Sequence, residues 1–234
     1  MWDTECPEKG KVIVCVLRAA DITDTRTIRS FPGDQGEDDQ WDREILIWEA
    51  ARATTAASSF FKPQKLGQGT KAEYFVDAAI GANNPLKHLL QEAEAEFGTG
   101  RRLGCLVSIG TGTRDVKLGR AETGLSNFLQ APGYYFGLLK SLKTTATDAE
   151  KSHRELQAKL FPFPGSYFRF NVPKAAEQVG LAHYQKAPLL KSLTAEYLAV
   201  PEIATQVRNL AESLKTGGFH HGLTVGLISK EFPS

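Results

Sequence analysis

The sequence lacks any long apolar run. None of its apolar stretches approaches the roughly 20 residues that a membrane-spanning helix requires. The first 11 residues are charged and polar, so they do not have the apolar segment of a secretory signal peptide. We therefore expect a protein without a transmembrane segment, which can contact a membrane surface but does not cross it.

Cysteine is also scarce. Only Cys6, Cys15 and Cys105 occur, the number is odd, and no C-x-x-C spacing is present. Cys15 and Cys105 lie inside apolar runs, where a cysteine usually acts as a small buried hydrophobic residue. This pattern argues against a disulfide framework and favours a reduced, cytoplasmic location.

An excess of one charge is absent as well. The chain has 28 Lys and Arg against 27 Asp and Glu, and it contains no dense basic run. The net charge of +1 therefore gives no reason to expect nucleic acid as a partner. With 234 residues, 41% of them hydrophobic and 24% charged, the sequence has the balance of one ordinary globular domain.

Two continuous apolar runs predict buried strands. Residues 11–17 (KVIVCVL) and 103–109 (LGCLVSI) do not alternate with polar residues, which is typical of strands buried on both faces of a parallel sheet. A further strand ends near residue 77 and a helix follows it. Strand, helix and strand in this order predict a βαβ unit with helices on the faces of a parallel sheet.

Several helices can be read from the apolar spacing. Asp42 is a suitable N-cap for a helix that reaches about residue 55. A second helix begins at Asn84 and Pro85 and stops at Gly98. Two more are indicated by apolar residues from Leu189 to Tyr197 and from Ile203 to Leu214, and Pro201 begins the later of them.

The most informative stretch is residues 74–85, in which Asp77 directly follows a short strand. Taken alone, this aspartate is most simply a turn-capping residue, because short polar side chains at strand ends commonly bind local backbone N–H groups. Asn83 and Asn84 are most simply helix caps, with a further role in holding the Asp77 loop as the alternative.

Four segments together resemble the patatin-like phospholipase family, in the version common in fungi. They are residues 47–57 (IWEAARATTAA), 60–63 (FFKP), 75–85 (FVDAAIGANNP) and 107–112 (VSIGTG). They occur in the family's order and at its spacing, over roughly residues 11–215, a span in line with a single α/β domain.

The resemblance implies a three-layer α/β/α fold with a mainly parallel sheet and the hydrolysis of acyl esters in lipids. It also implies a serine–aspartate dyad, in which a G-x-S-x-G elbow presents the serine and a D-G-[GA] motif presents the aspartate that takes its proton. Asp77 falls on that aspartate. A serine hydroxyl is a weak nucleophile without such a base, and the oxyanion needs preorganised N–H donors. No metal or cofactor is implied.

The sequence departs from this pattern in two places. It contains neither G-x-S-x-G nor the glycine-rich oxyanion loop. We therefore expect residues 1–215 to be the C-terminal part of the domain, lacking its N-terminal strands and nucleophile elbow, with a tail of uncertain structure at 216–234. The second departure is Ala78, where the family has glycine. If that glycine has a positive φ, Ala78 adds strain of about 1 kcal/mol or more.

Two functions follow from these features. The first is a partial lipid acyl hydrolase of the phospholipase A type, which carries the dyad aspartate but is inactive alone, with a lipid or membrane surface as substrate. The alternative is a catalytically inactive remnant that binds lipid or protein. A sensor domain of a larger multidomain receptor is a weaker third reading.

The remaining candidates have simpler structural explanations. Ser108 could replace the nucleophile, but no elbow pattern surrounds it, so it is better explained as a strand residue. Residues 110–112 (GTG) lack the lysine of a P-loop and indicate a tight turn. The aromatic run at 134–139 is more often core than a lipid-facing surface. The five histidines have no ligand-like spacing and predict no metal site; they are His88, His153, His183, His220 and His221.

Overall fold

The computed structural model describes residues 10–32, 44–57, 60–80, 85–112, 149–150, 152–173, 179, 183–217 and 222–229. These residues belong to two compact units. The first contains the described residues up to Thr99, with 149–150, 152 and 228–229. The second contains the described residues from Gly100 to 112 and from His153 to Leu227.

The first unit is built on a four-stranded sheet. Its strands are β1 (Ile13–Arg18), β2 (Asp21–Arg29), β3 (Gln64–Leu66) and β4 (Glu73–Asp77), in the spatial order β2-β1-β4-β3. Every neighbouring pair is antiparallel. The apolar strand β1 lies inside the sheet, where both its edges are paired.

The two faces of this sheet are covered by different residues. Helix α1 (Ile47–Thr54) packs on one face through Ala50 and Ala53, and this cluster includes Val16 and Phe75. The opposite face carries a second buried cluster, whose members are Cys15, Leu17, Val76 and Ala78. Alternate residues of β1 therefore contribute to both clusters, which explains why the strand has no polar residue before Arg18 at its end.

The carboxylate of Glu92 connects helix α2 (Leu86–Phe97) to strand β2. Glu92 accepts hydrogen bonds from the hydroxyl of Thr27 and from Nε and Nη2 of Arg29. The helix ends at Gly98, whose φ of 78° is a conformation that favours glycine. The predicted glycine stop of this helix is therefore confirmed.

The predicted fold class is wrong. A mainly parallel sheet was expected, but the sheet of the first unit is antiparallel throughout. The expected βαβ unit does not form either, because β4 and the next strand, β5 (Leu106–Ile109), belong to different sheets. The error has a physical cause: an apolar strand covered on both faces has the same sequence pattern in either direction, so the pattern reports burial and not strand polarity.

The second unit contains one parallel pair of strands among its described residues. Strand β5 pairs in parallel with β6 (Tyr167–Phe170). Helical residues 152–160 contribute the buried side chains of Leu156 and Leu160. Two longer helices follow, α3 (Ala187–Ala199) and α4 (Pro201–Thr216), and Pro201 begins α4 as predicted. A short helix α5 (Val225–Ser229) completes the described chain.

No helix in the described parts of the chain is both long and apolar enough to cross a membrane.

Candidate active site

Asp77 is the last residue of β4 and is held at both its backbone and its side chain. Its N–H donates to the carbonyl oxygen of Ala56 at 3.1 Å. Its Oδ1 accepts a hydrogen bond from the N–H of Ala79 at 2.8 Å. Across the sheet Asp77 stands opposite Val16, so its side chain belongs to the face that α1 covers. The carboxylate is therefore fixed at the point where β4 ends.

Burial changes the acidity of this carboxylate. The Asp77 side chain is half-buried, and desolvation raises its pKa above the ordinary value, while the hydrogen bond from Ala79 opposes part of that change. A raised pKa makes the carboxylate a stronger proton acceptor, as general-base catalysis near neutral pH requires. Asp77 therefore has a fixed position and a pKa shifted in the direction that favours proton acceptance.

The turn after Asp77 explains how alanine replaces glycine here. Residues Ala78–Ile80 form a single 3-10 turn, and Ala78 is buried. This turn lies in the right-handed helical region, which L-residues adopt without strain. Strain at Ala78 was expected only if its φ were positive. In the observed turn φ is negative, so Ala78 is not strained.

The segment that binds the Asp77 amide also carries exposed aromatic residues. It leaves α1 at Thr55, and the N–H groups of Phe60 and Phe61 both donate to the carbonyl oxygen of Ala57. Arg52 reaches forward from α1, donates to the carbonyl oxygen of Lys62 at 3.1 Å, and places its guanidinium 5.0 Å from the centre of the Phe61 ring. This contact was not predicted from the sequence. The i, i+9 spacing of Arg52 and Phe61 gives no periodic signal.

Ser108 does not have the surroundings of a nucleophile. It lies in β5 of the second unit and is 8% exposed. Its Oγ accepts a hydrogen bond from Nη1 of Arg169 at 2.9 Å. A neighbouring guanidinium cannot take the hydroxyl proton, so this contact supports the strand-residue interpretation over the catalytic one.

The Gly-Thr-Gly segment, predicted to be a tight turn, bends at Thr111 as it leaves β5, and Gly112 has a φ of 105°. The N–H of Gly110 continues the strand pairing to Phe170 at 2.8 Å, and the N–H of Gly112 donates to Oδ1 of Asn171, also at 2.8 Å. A Cβ atom on Gly110 would lie 2.4 Å from that Asn171 oxygen, so a larger residue here requires the Asn171 side chain to shift. Asn171, which was not predicted from the sequence, therefore binds the Gly112 N–H that a phosphate cradle would need free.

The described histidines make no metal site. His88 is half-buried, and burial is the main cause of its lowered pKa. Nδ1 of His153 lies 3.0 Å from the hydroxyl of Tyr167, beside an open cavity of about 480 Å³ in the second unit. Among the described residues no group of His, Cys, Asp and Glu side chains could hold a metal ion. The asparagines at 83 and 84, the histidines at 220 and 221, and the aromatic run at 134–139 lie outside the described residues.

Comparison with known proteins gives consistent matches. The patatin-like phospholipase family matches residues 4–90. Patatin-like phospholipase 1 of Plasmodium falciparum is 30% identical over 185 residues, which are 73% of this chain and 26% of that protein. Calcium-independent phospholipase A2-gamma of Oryctolagus cuniculus is 30% identical over 180 residues, 75% of this chain and 20% of that protein. The human protein of the same name is 32% identical over 141 residues, 59% of this chain and 16% of its own length. No solved structure matches the chain.

These matches correct two expectations. The family match lies in the N-terminal part of the chain, where four strands form a sheet, so the expectation of a domain without its N-terminal strands is wrong. The matched relatives come from Plasmodium and mammals, and they give no support to a fungal type. The chain spans about a quarter or less of the length of these relatives. Through residues 4–90, the chain is homologous to the patatin-like phospholipases, a family of lipid acyl hydrolases.

Proposed function

We propose that this chain contributes the general base, Asp77, to a lipid acyl hydrolase site. The observation that carries the proposal is the half-buried Asp77 carboxylate, fixed at the end of β4 by Ala79 and lying inside the segment that matches the family. Its raised pKa suits proton abstraction from a serine. Acyl esters of lipids are the substrate class that this homology supports.

Only one of the two carboxylate oxygens of Asp77 is positioned to accept a proton. The Ala79 N–H holds Oδ1, and among the described residues no hydrogen bond reaches Oδ2. Oδ2 can therefore take the proton of a serine hydroxyl while the serine oxygen bonds to the ester carbonyl carbon. The proton then passes to the oxygen of the departing alcohol as the ester bond breaks, and water later cleaves the acyl-serine.

The nucleophile is the part that the sequence does not supply in recognisable form. The chain contains no G-x-S-x-G, and Ser108 is engaged by Arg169. We therefore propose that the chain alone does not hydrolyse esters. If the purified chain turned over a short-chain nitrophenyl ester and Asp77→Asn abolished that turnover, this part of the proposal would be wrong.

A chimera tests the base directly. Residues 60–90 of this chain replace the aligned segment of calcium-independent phospholipase A2-gamma, and ester hydrolysis is measured. We expect activity that Asp77→Asn lowers by about two orders of magnitude or more, the range typical of a lost general base. Glu73→Gln, at the other end of β4, is the matched control and should leave the rate unchanged. A folded chimera in which both substitutions have equal effects contradicts the assignment of Asp77.

The absent elbow supports a second candidate function, a non-catalytic module that binds lipid. A folded but inactive chimera, together with lipid binding by the intact chain, would favour this module over the enzyme. A cytoplasmic location remains a prediction from the cysteine pattern.

A further inference from the structure

Large apolar side chains around α1 are turned to solvent, among them the N-cap residue Leu46. We call four others the α1 rim, and their exposed fractions are 72% for Ile47, 60% for Trp48, 47% for Phe60 and 53% for Phe61. Ala50 and Ala53 fill the inward face of the helix, so core packing does not require these large residues. A group of exposed apolar residues in the same small region commonly marks an interaction surface.

The α1 rim is accompanied by positive charge. Arg52 follows Trp48 by one helical turn and lies against Phe61, and Lys62 follows Phe61 and is exposed. In the described part of the chain neither cation forms an ion pair with a carboxylate. Glu49, the nearest acid on α1, instead accepts a hydrogen bond from the N–H of Leu46.

The α1 rim is also connected to the candidate base. Ala56, whose carbonyl oxygen accepts the Asp77 N–H, lies between Arg52 and Phe60 on the same short segment. A surface bound by Phe60 and Phe61 would therefore lie next to the end of β4, where Asp77 is fixed.

We propose that the α1 rim docks the protein onto an anionic lipid surface. The proposal rests on the proposed function, which supplies the lipid substrate class. Tryptophan is enriched at the boundary between water and lipid, and apolar residues flanked by Arg and Lys bind surfaces that carry anionic headgroups. The exposed, unneutralised charge of Lys62 matches such headgroups, and half-buried Arg52 adds positive charge beside it. Both charges would repel a second copy of the same positive surface.

Vesicle cosedimentation tests the surface without requiring turnover. The intact chain is mixed with phosphatidylcholine vesicles that contain either no phosphatidylserine or about 30 mol% of it. We expect stronger binding to the anionic vesicles and a loss of about tenfold or more in the double variant Phe60→Ser/Phe61→Ser. Phe161→Ser, which changes an aromatic side chain that is 84% exposed in the second unit, is the matched control and should bind like the unchanged protein.

Two further variants test the charge of Lys62 and the contact of Trp48 with the lipid separately. Lys62→Glu, at an exposed position that the fold does not need, should weaken binding to the anionic vesicles more than to the neutral ones. In a protein with Trp2→Phe and Trp41→Phe, Trp48 is the remaining tryptophan, and its emission should shift to shorter wavelength when anionic vesicles are added.

Three outcomes would overturn the proposal. They are a lack of vesicle binding by the unchanged protein, equal binding by the double variant, and a dimer that only the double variant dissociates. Asp77→Asn should bind vesicles normally. An inactive chimera combined with normal rim-dependent vesicle binding would therefore refute the catalytic function while leaving the docking surface in place.

Discussion

The N–H of Asp77 donates to the carbonyl oxygen of Ala56 at 3.1 Å, and this bond joins the end of β4 to the segment that leaves α1. The candidate base and the exposed aromatic pair Phe60 and Phe61 are thereby attached to opposite ends of one short stretch of backbone. Since α1 also packs on β1 and β4, the position of Asp77 depends on the same helix that presents the α1 rim.

The first prediction concerns the stability cost of Asp77. Burial raises its folded-state pKa above 3.8, so the folded protein holds this proton more tightly than the unfolded chain does. Stability is therefore highest below pH 3.8 as far as this group is concerned, and it falls as the pH rises through the folded-state pKa. Asp77→Asn keeps an acceptor for Ala79 and removes the charge. We expect it to raise the free energy of unfolding at pH 7 and to have little effect near pH 3, measured by urea denaturation. A lower stability at pH 7 would contradict this.

The second prediction concerns the carboxylate that fastens α2 to β2. The Glu92 and Arg29 side chains are only 13% and 24% exposed, and their Oε2–Nε distance is 2.6 Å. Glu92→Ala leaves the guanidinium without these bonds and should lower the free energy of unfolding by about 2 kcal/mol.

The control for this pair is Asp24→Ala, which removes an ion pair with Arg18 whose side chains are 46% and 38% exposed. Its cost should be below about 1 kcal/mol, because solvent screens an exposed pair. Equal costs for the two substitutions, measured by chemical denaturation, would show that the Glu92 contacts add nothing beyond a surface pair.

The third prediction concerns cysteine reactivity. Burial, assisted by the charge of Glu92, raises the pKa of Cys15 to about 11. At pH 8 the thiolate fraction is then on the order of one part in a thousand. In a Cys6→Ser background, iodoacetamide should label Cys105 in the native protein and reach Cys15 only in denaturant, as mass spectrometry of peptides can measure. The same shift predicts that stability falls from about pH 9.0 toward pH 11, because the unfolded thiol ionises first.

The fourth prediction concerns the turn after β5. Gly110→Ala would place a methyl group 2.4 Å from Oδ1 of Asn171 and should cost about 2 kcal/mol or more. Gly100→Ala adds the same methyl group where no atom lies within 4 Å and should change stability by less than about 1 kcal/mol. Thermal unfolding of the two variants checks the difference. Equal melting temperatures would show that the turn can rearrange around Asn171.

The sequence predicted local features better than long-range ones. The strand end at Asp77, the glycine stop of α2 and the proline start of α4 each depend on a few adjacent residues, and each is observed. The prediction of parallel strands was wrong because the apolar run of β1 reports burial on two faces. It does not report the direction of the strands that pair with β1. The contact between Arg52 and Phe61 was missed for the same reason, since it depends on how the chain turns back after α1.

For the candidate site, too, local features were predicted from the sequence and long-range ones were not. The motif around Asp77 located the carboxylate, but its half-burial and its bond to Ala79 come from the fold. Ala78 illustrates the limit most clearly. A one-residue departure from the family motif suggested strain, and the observed 3-10 turn accepts alanine instead.

The pairing order of the first sheet has a consequence for synthesis on the ribosome. β1 and β2 are consecutive and form a hairpin, which closes on a microsecond timescale as soon as both have emerged. The other edge of β1 stays unpaired until β4 has been translated, which happens much later. During that interval an apolar strand presents unpaired backbone groups, so this is the stage at which the nascent chain is most exposed to aggregation and most in need of a chaperone.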